Sequence, residues 1–223
     1  GEERSGAVAA VGDRRRLGAA RRNMMVKQER AARTRQALIR SAAEVFAEQG
    51  FARASISAIS LRAGVSNGAL HFHFASKGAL AEAVQREAVR TMRRMTESAE
   101  AAGGPLQGVV EATHGLVRQL AEDVVLRAGF SLCGRPEGGP GPGGTAGGVS
   151  PRREWQTWVE EMLGRAEAEA LLAHGVSPRG AAEAIVAATV GFEVLGGQDR
   201  SWLDAGTVTR FWDLMLPPLS APR

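Results

Sequence analysis

The run 55–74, SISAISLRAGVSNGALHFHF, restricts the fold more than any other part of the chain. It reads as two short helices joined by Ala63-Gly64-Val65. Ile56, Ile59 and Ala63 repeat on one face of the first, and Leu70 anchors the second. Ser55 and Ser66 stand where N-caps belong. Gly64 permits the left-handed backbone of a tight turn, and Val65 plugs the angle between the helices. Ile56, Ile59, Val65 and Leu70 are predicted to pack inward against Phe46. That leaves Ser66, Asn67, Gly68 and Ala69 exposed at the start of the second helix. Small residues there admit the helix to a DNA major groove, and its unpaired N–H groups suit phosphate.

The remaining segments are helical by the same tests. Leu38, Ala42, Val45 and Phe46 share one face of a predicted helix over 28–49, stopped by Gly50. Ser76 caps a long helix to about residue 101, and Gly103-Gly104-Pro105 breaks it. Helices are predicted over 106–121, 124–132, 151–174 and 178–195. A last short one over 207–216 is stopped by Pro217 and Pro218. Segment 134–148, GRPEGGPGPGGTAGG, reads as a flexible loop. No segment alternates like a strand, so the expected class is all-α. The expected organisation is a disordered basic arm over 1–27, a helix-turn-helix domain over 28–75 and a larger helical domain over 76–223.

Charge separates along the same boundary. Residues 1–23 carry a net +3, residues 24–100 a net +5 and residues 101–223 a net −4. A basic front and an acidic back point to a polyanion-binding domain joined to one with other duties. The 26 Arg against 2 Lys reflect coding bias more than site chemistry. The single Cys133 forms no intrachain disulfide and sits by a loop without a recognisable catalytic partner, which fits a reducing cytoplasm. No apolar run of membrane-spanning length is present. Phosphate-loop, nucleophile-elbow and HExxH motifs are absent, which argues against an enzyme. An architectural DNA binder would need stronger and more uniform basic charge. No cofactor or metal is expected.

Over about 33–80 the chain resembles the TetR family of one-component repressors. The resemblance rests on Phe46, Gly50-Phe51, Ile59, Ala63-Gly64-Val65-Ser66, Gly68-Ala69-Leu70, His73-Phe74 and Ser76-Lys77. It implies a dimer with an N-terminal helix-turn-helix and a helical ligand-binding and dimerisation part. It also implies DNA contact by Ser55, Ser66, Asn67, Ala69, His71, Phe72 and His73, and a phosphate contact by Lys77. His71 stands where the family usually has Tyr, and Asn67 where it often has Lys. Asn67 offers an amide that fits an adenine edge, while Ala69 suits a thymine methyl. His71 and His73, two apart, do not share a helical face, so a metal site there is not expected.

The closer resemblance is to actinomycete receptors for γ-butyrolactone and related furan signals, through 68–74, 125–130, Glu154-Trp155, Val190-Gly191 and Gly196-Gly197. It implies a repressor of secondary-metabolite genes released from a palindromic operator by a small signalling molecule. In that subgroup a Trp at the position of Trp155 lines the ligand pocket. Leu116, Leu126, Phe130, Trp158, Val186 and Phe192 are candidate walls, with His114 and Gln156 as hydrogen-bond partners. Some members, the pseudo-receptors, take other ligands or none. Small residues over 178–195, with Phe211, Trp212 and Met215, resemble the family's four-helix dimer interface.

Overall fold

The computed structural model describes residues 2–134 and 150–221. Among these, nine α-helices follow in order: α1 (Glu2–Arg53), α2 (Ile56–Ala63), α3 (Asn67–His73), α4 (Lys77–Ala102), α5 (Pro105–Glu122), α6 (Val124–Ser131), α7 (Pro151–Ala168), α8 (Pro178–Gly196) and α9 (Ala205–Leu219). Two 3-10 turns, Leu132–Gly134 and Arg200–Leu203, and one isolated bridge between Leu172 and Ser220 complete them. The all-α expectation holds. Among the described residues no helix is long and apolar enough to cross a membrane.

The chain divides into two compact units, Gly1–Leu38 and Ile39–Arg223. The first is the leading part of α1, where Thr34 Oγ1 donates to the Arg30 carbonyl at 3.0 Å. Its backbone is helical from Glu2, which departs from the disordered arm expected over 1–27. Ala and Arg are strong helix formers, and that local preference opposes the arm-like composition. The loop expected over 134–148 lies, from residue 135 onward, outside the described residues.

In the second unit most boundaries fall where the capping residues predicted them. At Gly50, φ 74° and ψ 156° interrupt α1 as the stop signal required. Gly64 takes φ 67° at the end of α2, a conformation that disfavours any side chain. Ser55, Ser66 and Ser76 each accept a backbone N–H three residues on, at 3.1 Å in every case.

Two helix ends differ from expectation. The helix expected over 151–174 stops at Ala168. Ala170 adopts φ 54°, and Leu171 N–H reaches back to the Ala166 carbonyl at 2.9 Å. This is a Schellman closure made without the glycine that usually announces one. Conversely, α9 runs through Pro217 and Pro218 to Leu219. Proline's fixed φ is helical, so two prolines can continue a last turn at the cost of the N–H groups they lack and of crowding against the carbonyls one turn back. Ser220 N–H then closes on the Leu216 carbonyl at 3.0 Å.

A core built from α4 to α9 contains Met92, Leu116, Leu126, Phe130, Trp155, Val159, Phe192 and Trp212. Gly129 brings α6 against α4, where a Cβ would overlap that of Ala88. The head core holds Ala42, Phe46, Ile59, Leu70 and Phe74, all buried.

Candidate nucleic-acid interface and ligand pocket

The short α3 inherits its geometry from α2. Ile59 and Leu70 are fully buried and fix the two helices to the head core, while Ile56 and Val65 are half-buried. Arg62 on α2 donates to both carboxylate oxygens of Glu48 on α1, with Nη2 at 2.7 Å from Oε2. The hydrogen bond from Arg62 holds the Glu48 carboxyl below its ordinary range. Arg62 thus bridges α2 to α1 at the surface. Arg53 is exposed, with Nε on the Gln49 carbonyl at 2.9 Å.

On the open face of α3, Phe72 is 83% exposed, and so is Leu61 on α2. An aromatic ring left in water on a seven-residue helix contributes little to the core and is free to meet a partner. His71 is exposed beside it. The His73 ring meets the Phe72 ring edge-on at 5.3 Å between centroids and is half-buried. Ala69 is half-buried, while Gly68 and Ser66 are exposed. The Oγ of Ser55 and of Ser66 is already used as a helix cap.

Two predicted DNA contacts have other occupations. Asn67 accepts a hydrogen bond from Ser60 Oγ, and its Nδ2 donates to Ser57 Oγ at 3.3 Å. Its amide thus ties α3 to α2. The Lys77 ammonium donates to the carbonyls of Phe51 (2.8 Å), Ala52 (3.2 Å) and Ala54 (2.8 Å). It also lies 4.5 Å from the Phe51 ring centroid. An ammonium has three N–H donors, and here three carbonyls at the end of α1 receive them. In this structure the Lys77 ammonium caps the end of α1. Ser57 and Ser60 went unrecognised because isolated serines in a short helix carry no signal of their own.

The candidate ligand residues divide. Trp155 is 1% exposed, donates Nε1–H to Thr189 Oγ1 at 3.0 Å, and stacks on Trp158 at 5.4 Å. Trp158 turns its own N–H outward to Glu100 at 2.6 Å. Leu116, Leu126, Phe130 and Phe192 belong to the same buried core cluster as Trp155, and Val186 is half-buried. Gln156 is exposed and bonded to Glu160 at 2.8 Å, so it faces away from the interior. The residue order on α7 explains this, because a neighbour of a buried Trp155 is rotated about 100° from it.

His114 lies elsewhere, in an open cleft of about 410 Å³ between α5 and α9. Val110 and His114 form one wall, and Thr209, Trp212, Asp213 and Leu216 the other. Trp212 is 3% exposed, so it belongs to the chain's own core and not to the outer face expected of a dimer contact. Leu214, 78% exposed, occupies that outer face instead.

Within the acidic segment 101–223, Arg152 of α7 holds Glu193 of α8 with Nη2 at 2.7 Å from Oε2. Burial raises the Glu193 carboxyl above its usual range, and Arg152 opposes that rise. Desolvation likewise lowers Arg127, whose guanidinium caps the end of α5 at the Leu120 and Ala121 carbonyls.

Residues 38–84 match the bacterial regulatory proteins of the tetR family. The A-factor receptor protein of Streptomyces griseus is 33% identical over 204 residues, covering 89% of this chain and 68% of that protein. The chain belongs to the TetR family. A crystal structure of a γ-butyrolactone receptor, an ArpA-like protein, superposes with a TM-score of 0.69 at 29% identity, covering 86% of this chain and 90% of that one. CprB of Streptomyces coelicolor, solved in complex with its biological operator sequence, gives the same TM-score, identity and coverage. This TetR-family regulator is thus homologous to A-factor and γ-butyrolactone receptors across its DNA-binding head and most of its helical remainder.

Proposed function

We propose that this TetR-family protein is a dimeric repressor that binds a palindromic operator through α3 and leaves it when a small lactone- or furan-type signal binds the helical domain. The observation that carries the reading is the exposed ring of Phe72 beside His71 on a helix whose opposite face is sealed by Leu70. With the Asn67 amide bonded to Ser57 and Ser60 and the Lys77 ammonium to the end of α1, base contact falls first to Ala69, His71 and Phe72, while Ser55, Ser66 and His73 border the phosphate backbone. Apolar groups at such a surface suit thymine methyls.

Two equivalent heads reading half-sites about 34 Å apart require a dimer. Val194 and Leu195 of α8 and Leu214 of α9 are large apolar side chains left partly in water, which supports these helices as the joining surface. Membership in a family of transcriptional regulators supports a role without turnover, exercised in the cytoplasm where the DNA lies. Control of secondary-metabolite genes rests on the likeness to the A-factor receptor. A ligand at the Trp155–Trp158 stack would meet ring faces, because the Trp155 N–H is already bonded to Thr189. The ligand shifts the equilibrium only by its differential affinity for the bound and released states.

The test is a mobility shift with a palindromic site from the upstream region of the gene, at fixed salt and with random competitor DNA. Retention against a large competitor excess is expected, with release on adding a γ-butyrolactone. Equal competition by random DNA would refute specific operator recognition, and unchanged retention with every lactone tried would refute ligand release.

A further inference from the structure

The α5–α9 cleft has a feature absent from the Trp155 region. Trp212 Nε1 is a buried side-chain polar atom without a hydrogen-bond partner, the one such atom among the described residues. An unsatisfied buried N–H is costly, so a group that accepts from it gains more than an ordinary hydrogen bond provides. The same indole lines the cleft, whose volume lies in the range that holds small organic ligands.

The other polar groups of the cleft define what it accepts. Thr209 Oγ1 donates to the Ala205 carbonyl at 3.0 Å, and Ser220 Oγ to the Leu216 carbonyl at 2.7 Å. Both hydroxyls have spent their hydrogens and present lone pairs. Asp213 adds a carboxylate at the exposed rim. The Trp212 N–H and an N–H of the His114 ring on the opposite wall therefore ask for acceptors, while the Thr209 and Ser220 hydroxyls offer lone pairs and the Asp213 carboxylate opposes negative charge at the rim. Val110, Leu216 and Pro217 supply the apolar wall.

We infer that the α5–α9 cleft is a binding site for a small uncharged amphiphile whose carbonyl oxygen accepts the Trp212 indole N–H. The site is separate from the Trp155 stack and does not depend on where the operator-releasing signal binds. Because neighbouring side chains cover the N–H, a bound carbonyl must displace them to reach it. The carboxylate of Asp213 selects against fatty-acid anions of the same length.

The experiment uses the full-length protein labelled with 15N, in which four tryptophans give four indole N–H signals assigned by single Trp→Phe variants. The probe is γ-decalactone, an uncharged lactone with a six-carbon tail, compared with decanoate. A saturable shift of the Trp212 signal is expected while the Trp155 signal stays in place. The lactone should bind at least tenfold more tightly than decanoate. Trp212→Phe should weaken lactone binding by about five- to tenfold. Thr209→Phe, which fills the cleft from an exposed position and spares the core, should abolish binding with the thermal midpoint retained. Movement of the Trp155 signal alone, absence of any shift up to the solubility limit, equal binding of decanoate, or undiminished binding to Thr209→Phe each overturns the inference. Operator release is read separately by mobility shift. Lactone binding in the cleft without release would reject lactone-driven release through this site and leave the site standing.

Discussion

The ammonium of Lys77 sits 2.8 Å from the carbonyl oxygen of Phe51 and 4.5 Å from the centroid of the same residue's ring. One side chain at the start of α4 thus closes the end of α1. It uses a charged donor where orphan carbonyls collect and an aromatic face that favours a cation. The relationship couples the first turn of α4 to the head that carries α3.

Replacing Lys77 by Met should therefore act through the fold. A loss of about 2–3 kcal/mol in urea unfolding is expected, in keeping with hydrogen bonds made by a charged donor. Operator affinity should fall with an unchanged dependence on salt concentration. A slope reduced by about one unit would instead identify Lys77 as a phosphate contact.

Asn67→Ala removes the tie from α3 to Ser57 and Ser60. The expected cost is about 1 kcal/mol of stability. Affinity for operator variants should drop by a similar factor at every base position. A loss concentrated at one adenine, measured by substituting each position of the half-site, would show that the amide leaves its internal partners to read that base.

Phe72→Ala should separate binding from folding. At 83% exposure the ring supports little of the core, so the unfolding free energy should change by less than about 0.5 kcal/mol. Operator affinity should fall about tenfold or more, a difference readily measured by fluorescence anisotropy. Wild-type affinity in this variant would remove Phe72 from the interface.

The Trp155–Thr189 pair makes an asymmetric prediction. Trp155→Phe leaves Thr189 still donating to the Val186 carbonyl at 2.8 Å, so about 1 kcal/mol should be lost. Thr189→Val strands the buried indole N–H and should cost more, up to about 3 kcal/mol. Chemical denaturation of the two variants decides the order. The reverse order would mean that the cavity left by the smaller ring outweighs the stranded indole N–H.

Glu193 gives a pH signature. Burial raises its carboxyl pKa in the folded state, so the native protein binds this proton more readily than the unfolded chain does. The associated stability is fully present below the ordinary glutamate range and is lost as pH rises through the raised value. The stability of the parent relative to Glu193→Gln should accordingly fall as pH rises above the ordinary glutamate range. A difference that grows with pH would mean that the Arg152 attraction outweighs desolvation.

The sequence by itself determined the helices whose ends are written in local chemistry. Ser55, Ser66 and Ser76 cap because a short hydroxyl three residues from a free N–H can reach it, and Gly50 and Gly64 stop because they alone tolerate positive φ cheaply. The exposed start of α3 followed from the same rules, since burying Ile59 and Leu70 leaves its other face in water. Tertiary structure decided which polar side chains remain available. Nothing local distinguishes a lysine that meets phosphate from one that meets three carbonyls 23 to 26 residues away, or an asparagine that reads a base from one held by serines on the preceding helix. It also decided that Gln156 faces water, that Trp212 belongs to the core, and that Ala170 can close α7. These outcomes depend on which groups packing brings within about 3 Å of one another, and hydrogen bonding at that range is set by the fold and not by residue type.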